Sequence, residues 1–457
     1  MNTKNRDFDA SKVITCIGIF ALVWFQGGEQ LWQFAIFSIF VIVSSIINVL
    51  SIDDRGINNI KMLKIPMCIA SLFLLYLILY LAPLPSSLLE LTAEGFDTGN
   101  LNKSVIPSTY TVSPFLTSVA IFKYIIYALF FLNLFHLYKQ LEELISFLRY
   151  IYACGCLFAL YSLINHVSDG GYELFPALEP WGTDWSETIR GTFSYKNHFA
   201  AFLHLLIPIG FYLAYLEFKY YKVEGDRVAF NKGMLIVINQ IFFVYLVIAS
   251  GSKGGFLLLV AFPLLILSLC VIKKLVNSRL QLWIKTLLVV SILTASMLLS
   301  SSALNYSQGE QSLSNGRDFM YTSMTSIIAE RPIFGTGPGT YEIYQNKYKD
   351  KRLTISRKSI RAHNEYLELL TNIGIVGCFL VACLFVSLLN VKAKVHGEKH
   401  SIAHYCSEGA LLIILIYATF DFVLQLPAIM VLVLSMMVMY IRSGIDPVNK
   451  SIGLSRN

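Results

Sequence analysis

Apolar runs long enough to cross a bilayer recur along the whole chain, and they restrict its fold more than any motif does. A hydrocarbon layer of about 30 Å needs roughly twenty helical residues, and the stretch from Leu31 to Leu50 is one of many that meet this length. In lipid every backbone N–H and C=O must be bonded within the protein, so spanning segments are helices or closed barrels. Barrel strands alternate apolar and polar residues, whereas these runs are continuously apolar, which leaves helices. The chain is read as all-α, a polytopic membrane protein. Its composition agrees: of 457 residues, 55% are hydrophobic and only 14% charged, more apolar surface than a soluble domain could cover.

A polar start with Lys4, Arg6 and Lys12 precedes a short apolar run over 13–25. With no small-residue cleavage site and another run opening at Leu31, it reads as a retained first span. Further spans are expected at 31–50, 65–83, 115–137, 144–166, 198–217, 234–249, 255–272, 283–300, 366–390, 409–425 and 427–442, about twelve in all. Lysine and arginine gather on one set of connecting segments, which favours both termini inside. The opposite set is nearly devoid of positive charge except for 301–365, which holds Arg317, Arg331, Lys347, Lys349, Lys351, Arg352, Arg357, Lys358 and Arg361. A long external loop can translocate despite its charge. The expectation is one integral membrane domain over 1–457, with 301–365 as a large outer loop between the ninth and tenth spans. The eight cysteines lie mostly in apolar runs and lack metal-ligand spacing. The net charge of +7 is ordinary for a membrane protein with cytoplasmic lysines and calls for no nucleic-acid partner.

Three short cationic motifs open onto the same face as that loop: Arg190-Gly191-Thr192-Phe193-Ser194-Tyr195-Lys196-Asn197-His198, Ser250-Gly251-Ser252-Lys253-Gly254-Gly255, and Asn315-Gly316-Arg317-Asp318. Cations at that depth are costly unless they meet an anion or a watery cavity, so each is a candidate phosphate ligand. Each also has a bland reading: Arg190 can snorkel, Lys253 can anchor at the interface, and Arg317 can pair with Asp318. Together, in a chain that places few cations outward, they favour an anion site. The segment Arg361-Ala362-His363-Asn364 runs from this basic loop into an apolar helix. A histidine at a helix N-terminus beside Arg361 is disfavoured as imidazolium by both the dipole and the cation, which suits a general base. Asp421, inside an expected span, is a functional suspect by default, expected to hold the bundle or a cation such as Arg361 or Lys253. The Gly/Pro-punctuated segment from Arg331 to Tyr341 lacks the spacing of a nucleotide-binding fingerprint and is assigned to shaping the loop. No paired carboxylates or His/Asp cluster with metal spacing is present on the outer face, so no metal or other cofactor is expected.

The order Gly191-Thr192-Phe193, Asn197-His198-Phe199, Gly251-Ser252-Lys253-Gly254-Gly255, Gly316-Arg317, Arg331-Pro332 with Gly335-Thr336-Gly337-Pro338-Gly339, His363-Asn364-Glu365-Tyr366-Leu367 and Asp421-Phe422 resembles the O-antigen ligase and polymerase superfamily of bacterial envelopes. The resemblance covers residues 190–430 by motif. It implies a GT-C-like fold of about twelve transmembrane helices with a large periplasmic loop in the inner membrane. It also implies metal-independent transfer of a glycan from undecaprenyl diphosphate to the hydroxyl of a lipid or glycan acceptor. His363 would deprotonate the acceptor, and Arg190, Lys253, Arg317 and Arg361 would surround the diphosphate, with Asn197, Asn364 and Asp421 in support. Relatives usually carry arginine where this chain has Lys253. Lysine supplies a point charge without the bidentate fork.

The His-Asn pair favours the ligase type over a polysaccharide polymerase. A flippase for lipid-linked saccharide is the alternative from another class. It predicts charges and Pro/Gly breaks at mid-span within repeated halves, whereas the cations here cluster at one face and the sequence shows no repeat.

Overall fold

The computed structural model describes residues 3–51, 60–83, 85, 109–174, 188–260, 317–348, 361–391 and 402–445. The span expected at 283–300 and much of 255–272 and of the 301–365 loop lie outside these residues. Among the described residues the chain is helical, with a single isolated bridge between Pro83 and Thr109 and no β-strand. The helices are α1 (Thr3–Trp24), α2 (Leu31–Leu50), α3 (Lys64–Leu79), α4 (Pro114–Leu137), α5 (Leu141–Val167), α6 (Lys196–Glu224), α7 (Arg227–Ala249), α8 (Arg317–Glu330), α9 (Glu365–Leu389), α10 (Ile402–Tyr417) and α11 (Pro427–Ile445). By length and composition α2, α4, α5, α6, α7 and α9 can each cross a membrane, while α3, α10 and parts of α1 and α11 form shorter apolar helices. One boundary differs in a way that matters. The span expected over 409–425 is helix only to Tyr417, because Thr419 and Phe420 donate to the nearer carbonyls of Ile416 and Tyr417 and wind the chain out of the helix.

α6 is the centre of the bundle. Its first half, Phe199-Ala200-Ala201-Phe202-Leu203 and onward, is apolar on every side, and a helix of that pattern has no face to give to solvent or lipid. In its most apolar stretch 83% of residues are buried, against 22% for α9 and 28% for α7, which turn most of their surface outward. α5, α7, α10 and α11 pack around it. At its far end Gly225 adopts the left-handed conformation (φ 69°), and the Asp226 carboxylate caps α7 by accepting from the Val228 amide at 2.8 Å. Between α1, α2 and α4 a polar seam runs beside the aromatic contacts of Phe34 with Tyr127 and Phe37 with Phe130. The hydroxyls of Ser11 and Ser44 meet at 2.7 Å, and Asn48 donates to Asn133 at 3.1 Å. In lipid such interhelical bonds contribute about 0.6 kcal/mol each.

α9 is interrupted. Gly374 lies at φ 62°, ψ −173°, which breaks the i to i−4 ladder roughly 14 Å along the helix. The backbone groups released there are bonded by the Gly/Pro segment laid alongside. The amides of Thr336 and Gly337 donate to the carbonyls of Thr371 and Asn372 at 2.9 and 2.8 Å, and those of Ile375 and Val376 donate to Pro332 and Ile333 at 2.9 and 3.1 Å. Tyr76 donates to the Ile373 carbonyl at 2.6 Å, and Tyr110 to that of Gly335 at 3.0 Å. Non-helical backbone at such a depth is tolerated only where protein satisfies it. The segment from Pro332 to Gly337 is thus the splint of a broken helix and not only a shape for the loop.

A Cβ at position 374 would stand 2.3 Å from the Ile333 carbonyl oxygen, whereas one at position 225 would meet nothing within 4 Å. Gly374→Ala is expected to cost more than about 2 kcal/mol, and Gly225→Ala about 1 kcal/mol from backbone strain alone. Thermal unfolding of the two detergent-purified variants checks this; equal shifts would contradict the splint.

Candidate active site

The ends of α1, α3, α5, α7 and α10 and the starts of α2, α4, α6, α9 and α11 share one end of the bundle, and the polar residues of interest collect there. The turn from Arg361 to Asn364 enters α9. Asn364 is the N-cap, accepting from the Leu367 amide at 3.0 Å, a residue type suited to that position. His363, just before it, has φ 49°, a left-handed backbone uncommon outside glycine. Such a conformation costs on the order of 1 kcal/mol and persists only where neighbours impose it.

Those neighbours are carboxylates. Glu368, fully buried, folds back to accept from the Ala362 amide at 3.0 Å and from Arg361 Nη1 at 2.9 Å. Glu365 accepts from both the backbone and the side-chain amide of Gln425 at 3.0 Å, while its own amide donates to the Ala418 carbonyl at 3.0 Å. Orphan groups at the end of α10 and the start of α9 therefore satisfy each other.

Asp421 lies in the turn after α10, and its side chain is 1% exposed. Its Oδ1 meets His363 Nδ1 at 2.9 Å and accepts from the Phe422 amide at 2.9 Å, while Oδ2 accepts from Asn197 Nδ2. Burial favours the neutral acid, but the hydrogen bond and charge of His363, with His198 and Asn197, outweigh it and hold the carboxyl below its usual range. An ionised acceptor on Nδ1 places the proton of a neutral imidazole there and leaves Nε2 with its lone pair. Nε2 makes no hydrogen bond among the described residues, and the His363 side chain is 19% exposed. Phe422 fixes the ring plane edge to face at 4.9 Å and carries His198 on a second contact at 4.8 Å.

Two sequence readings are corrected by this arrangement. Asp421 holds a histidine, through a turn outside any helix, and does not hold Arg361 or Lys253. The argument from the helix dipole and an adjacent cation also changes, because Arg361 is offset by Glu368 and a carboxylate sits directly on the imidazole. Burial disfavours the Arg361 charge, but Glu368, Glu365 and Glu342 outweigh it and raise its pKa above the ordinary arginine value.

The other expected cations are spread around this centre. Lys253 is exposed at the start of a helical stretch over 253–260. Its turn is tied to the same end of the bundle, since Ser252 and Tyr417 share a hydroxyl contact at 2.8 Å and the Lys196 ammonium would lie 3.8 Å from a Cβ on Gly251. Arg190 is buried beside α5, where a Cβ on Gly191 would strike Phe158 and Ser162. Burial lowers its guanidinium to about 10, with Glu173 as the opposing charge, so it remains a cation at neutral pH. Arg317 opens α8, and its side chain lies outside the described residues. The structure thus brings Asn197, His363, Asn364, Asp421 and Arg361 together, sets Lys253 at the adjoining turn, and directs Arg190 toward Glu173.

Residues not singled out from sequence also converge here. His198 is 2% exposed, and neither ring nitrogen has a hydrogen-bond partner. Glu29, from the turn between α1 and α2, accepts from the Ser194 hydroxyl and acts electrostatically on His198. The pairing of His198 with Asn197 at a helix start was the available signal for the first. Nothing about a lone glutamate in a short turn marked the second.

Residues 238–382 match the family model described as O-antigen ligase. This match, over about a third of the chain, supports the O-antigen ligase and polymerase superfamily. None of the curated proteins matches the chain. Of the residues above, Lys253, Arg317, Arg361, His363 and Asn364 fall in the ligase domain, whereas Glu29, Arg190, Asn197, His198 and Asp421 reach it from outside the matched stretch. Glycan transfer of the O-antigen ligase or polymerase type, by a multi-pass membrane protein acting on lipid-linked glycan, is what this match supports.

Held below its unfolded value, the Asp421 carboxylate contributes stability that is fully present above about pH 4 and is lost as pH falls through the lowered folded value. Asp421→Asn should therefore flatten the loss of thermal stability as pH falls below about 4. An unchanged acid profile would show that the carboxylate is not held as described.

Proposed function

We propose that the protein transfers a glycan from an undecaprenyl-diphosphate-linked donor to an acceptor hydroxyl at the periplasmic face of a bacterial inner membrane. The observation that carries this reading is the Asp421–His363 pair, with Nε2 unengaged, which joins a histidine of the O-antigen ligase match to a carboxylate beyond it and lies beside Arg361. His363 Nε2 takes the proton of the acceptor hydroxyl as its oxygen attacks the anomeric carbon. The bond from that carbon to the diphosphate oxygen breaks, and its electron pair leaves with the diphosphate. Asp421 stabilises the imidazolium as it forms and keeps the ring in the productive tautomer.

Charge developing on the leaving group is met by Lys253, Arg317 and Arg361, cations that supply what a metal ion supplies elsewhere, Arg361 being held by Glu368. Arg190, charged but buried toward Glu173, acts at longer range. Asn197 and Asn364 support the pair, one by bonding Asp421 and the other by capping α9. Attack opposite the diphosphate inverts the anomeric carbon. The ligase type is preferred to the polymerase type on the His-Asn pair.

One structural feature would suit a lipid-linked saccharide flippase, namely the mid-span break in α9. There the released backbone groups bond to residues 332–337 and are not offered to a substrate, so the transferase reading is preferred.

The test is replacement in cells scored for mature surface glycan and for lipid-linked precursor. His363→Ala should lower product formation by roughly 10²–10⁴-fold at normal protein level, with donor accumulating on the outer leaflet. Asp421→Asn should lower it by at least about 10²-fold, since the amide no longer fixes the tautomer. Unchanged product in His363→Ala cells would remove the histidine from the chemistry. Donor retained on the inner leaflet would point instead to translocation.

A further inference from the structure

α4 carries a cation within its length. Lys123 is the tenth residue of a helix able to span the membrane, about 14 Å along its axis from Pro114. An ionisable group at such a position faces the bundle interior or a watery cavity, and needs a partner to remain charged. Lys123 is half-buried, and its ammonium stands 5.5 Å from the centre of the Phe34 ring. It forms no hydrogen bond or salt bridge among the described residues.

Its electrostatic neighbours are Arg361, a like charge, and Glu29, an opposite one. The same two residues act on His198, together with Asp421 and His363. On the same stretch of α4, Tyr124 and Tyr127 both interact with Arg361 and Glu365. Phe34, under the Lys123 ammonium, lies in the first turn of α2 just after Glu29, and Glu29 accepts from Ser194 just before Asn197 and His198, so Lys123 lies on the side of the bundle that carries this group. Lys123 and Arg361 repel each other, with Glu368 bonded to the arginine and Glu29 the acid that acts on the lysine, so an anion bound between the two cations would gain from both. The buried, unbonded nitrogens of His198 at the same place are a second sign that a polar ligand completes the site.

We infer that Lys123 is a substrate-binding residue, which with Arg361 forms a two-cation seat for the diphosphate of the lipid-linked donor, and that Glu29 is the resident counter-charge the diphosphate supplants. This rests on the donor class proposed above and adds to it a residue outside the ligase domain. It gives Lys123 and Glu29 opposite effects on binding. Loss of the lysine weakens diphosphate binding, and loss of the glutamate's charge strengthens it. A merely structural Glu29–Lys123 pair would instead make both changes harmful in the same direction.

The experiment measures binding of farnesyl diphosphate and of inorganic pyrophosphate to the full-length protein in detergent, for wild type, Lys123→Met, Lys123→Arg and Glu29→Gln. Thermal unfolding of each variant verifies the fold. For farnesyl diphosphate, Lys123→Met should bind about tenfold or more weakly, Lys123→Arg close to wild type, and Glu29→Gln more tightly. Pyrophosphate should follow the same order at lower affinity, because the seat recognises the phosphates; a pattern seen with pyrophosphate alone would assign Lys123 to free pyrophosphate and overturn the donor role. Wild-type affinity retained by Lys123→Met, or weaker binding by Glu29→Gln, overturns the inference and leaves the donor assignment standing. Failure of the wild type to bind either probe overturns both. If Lys123→Met does not fold, weak binding by Lys123→Arg with tightened binding by Glu29→Gln would still support the seat, and unchanged affinity in both would overturn it.

Discussion

A single buried carboxylate ties the polar end of this bundle together. Asp421 accepts from the start of α6, from the backbone of its own turn and from the imidazole that precedes α9. Three segments distant in sequence are thereby held at hydrogen-bonding distance in a place where an unpaired charge would be costly. The helix that could have continued through Asp421 stops at Tyr417, so the carboxylate projects from a turn and not from a helix flank. The same requirement explains the left-handed backbone of His363. The chain enters α9 through a strained residue because the Asn364 cap, the Glu368 contact with Ala362 and the Asp421 contact with the ring must all be met at once.

Rigidity for that entrance comes from two directions. From the side, Glu365 grips Gln425 and Glu368 grips the Arg361 turn, so the first turn of α9 is fixed by its acids before any substrate is present. From within the bundle, the break at Gly374 is filled by residues 332–337, which anchor the latter part of the polar loop to the same helix. Residues 332–337 and the helix that follows the histidine are thus one mechanical unit. A site for a departing diphosphate benefits from such preorganisation, because donors and charges that are already fixed need not reorganise as the bond breaks.

Much of this was legible in the sequence, for reasons of period and placement. Continuous apolar runs can only be helices in lipid, and the described helices fall where those runs are. An aspartate in an apolar run marked Asp421 for attention, and the structure buries it against His363 and Asn197. What sequence could not give was pairing. Asp421 is 58 residues from His363, and nothing local says that it bonds the histidine rather than a cation. Gly374 was unreadable as a break, since an isolated glycine in a helical run is usually tolerated. Its meaning depends on the Pro332–Gly337 splint, which reads by itself as an ordinary loop. Lys123 had a clear signal, a lysine in the interior of an apolar run, but counting charge by connecting segments left it uncounted.

The claim on which the account depends is that Asp421 fixes the His363 tautomer. Nitrogen NMR of the histidine-labelled protein, at a pH where the ring carries a single proton and with His363→Gln to assign the resonance, measures it directly. The account predicts a proton on Nδ1 and a bare Nε2. A proton found on Nε2, or rapid exchange between the two nitrogens, would contradict it.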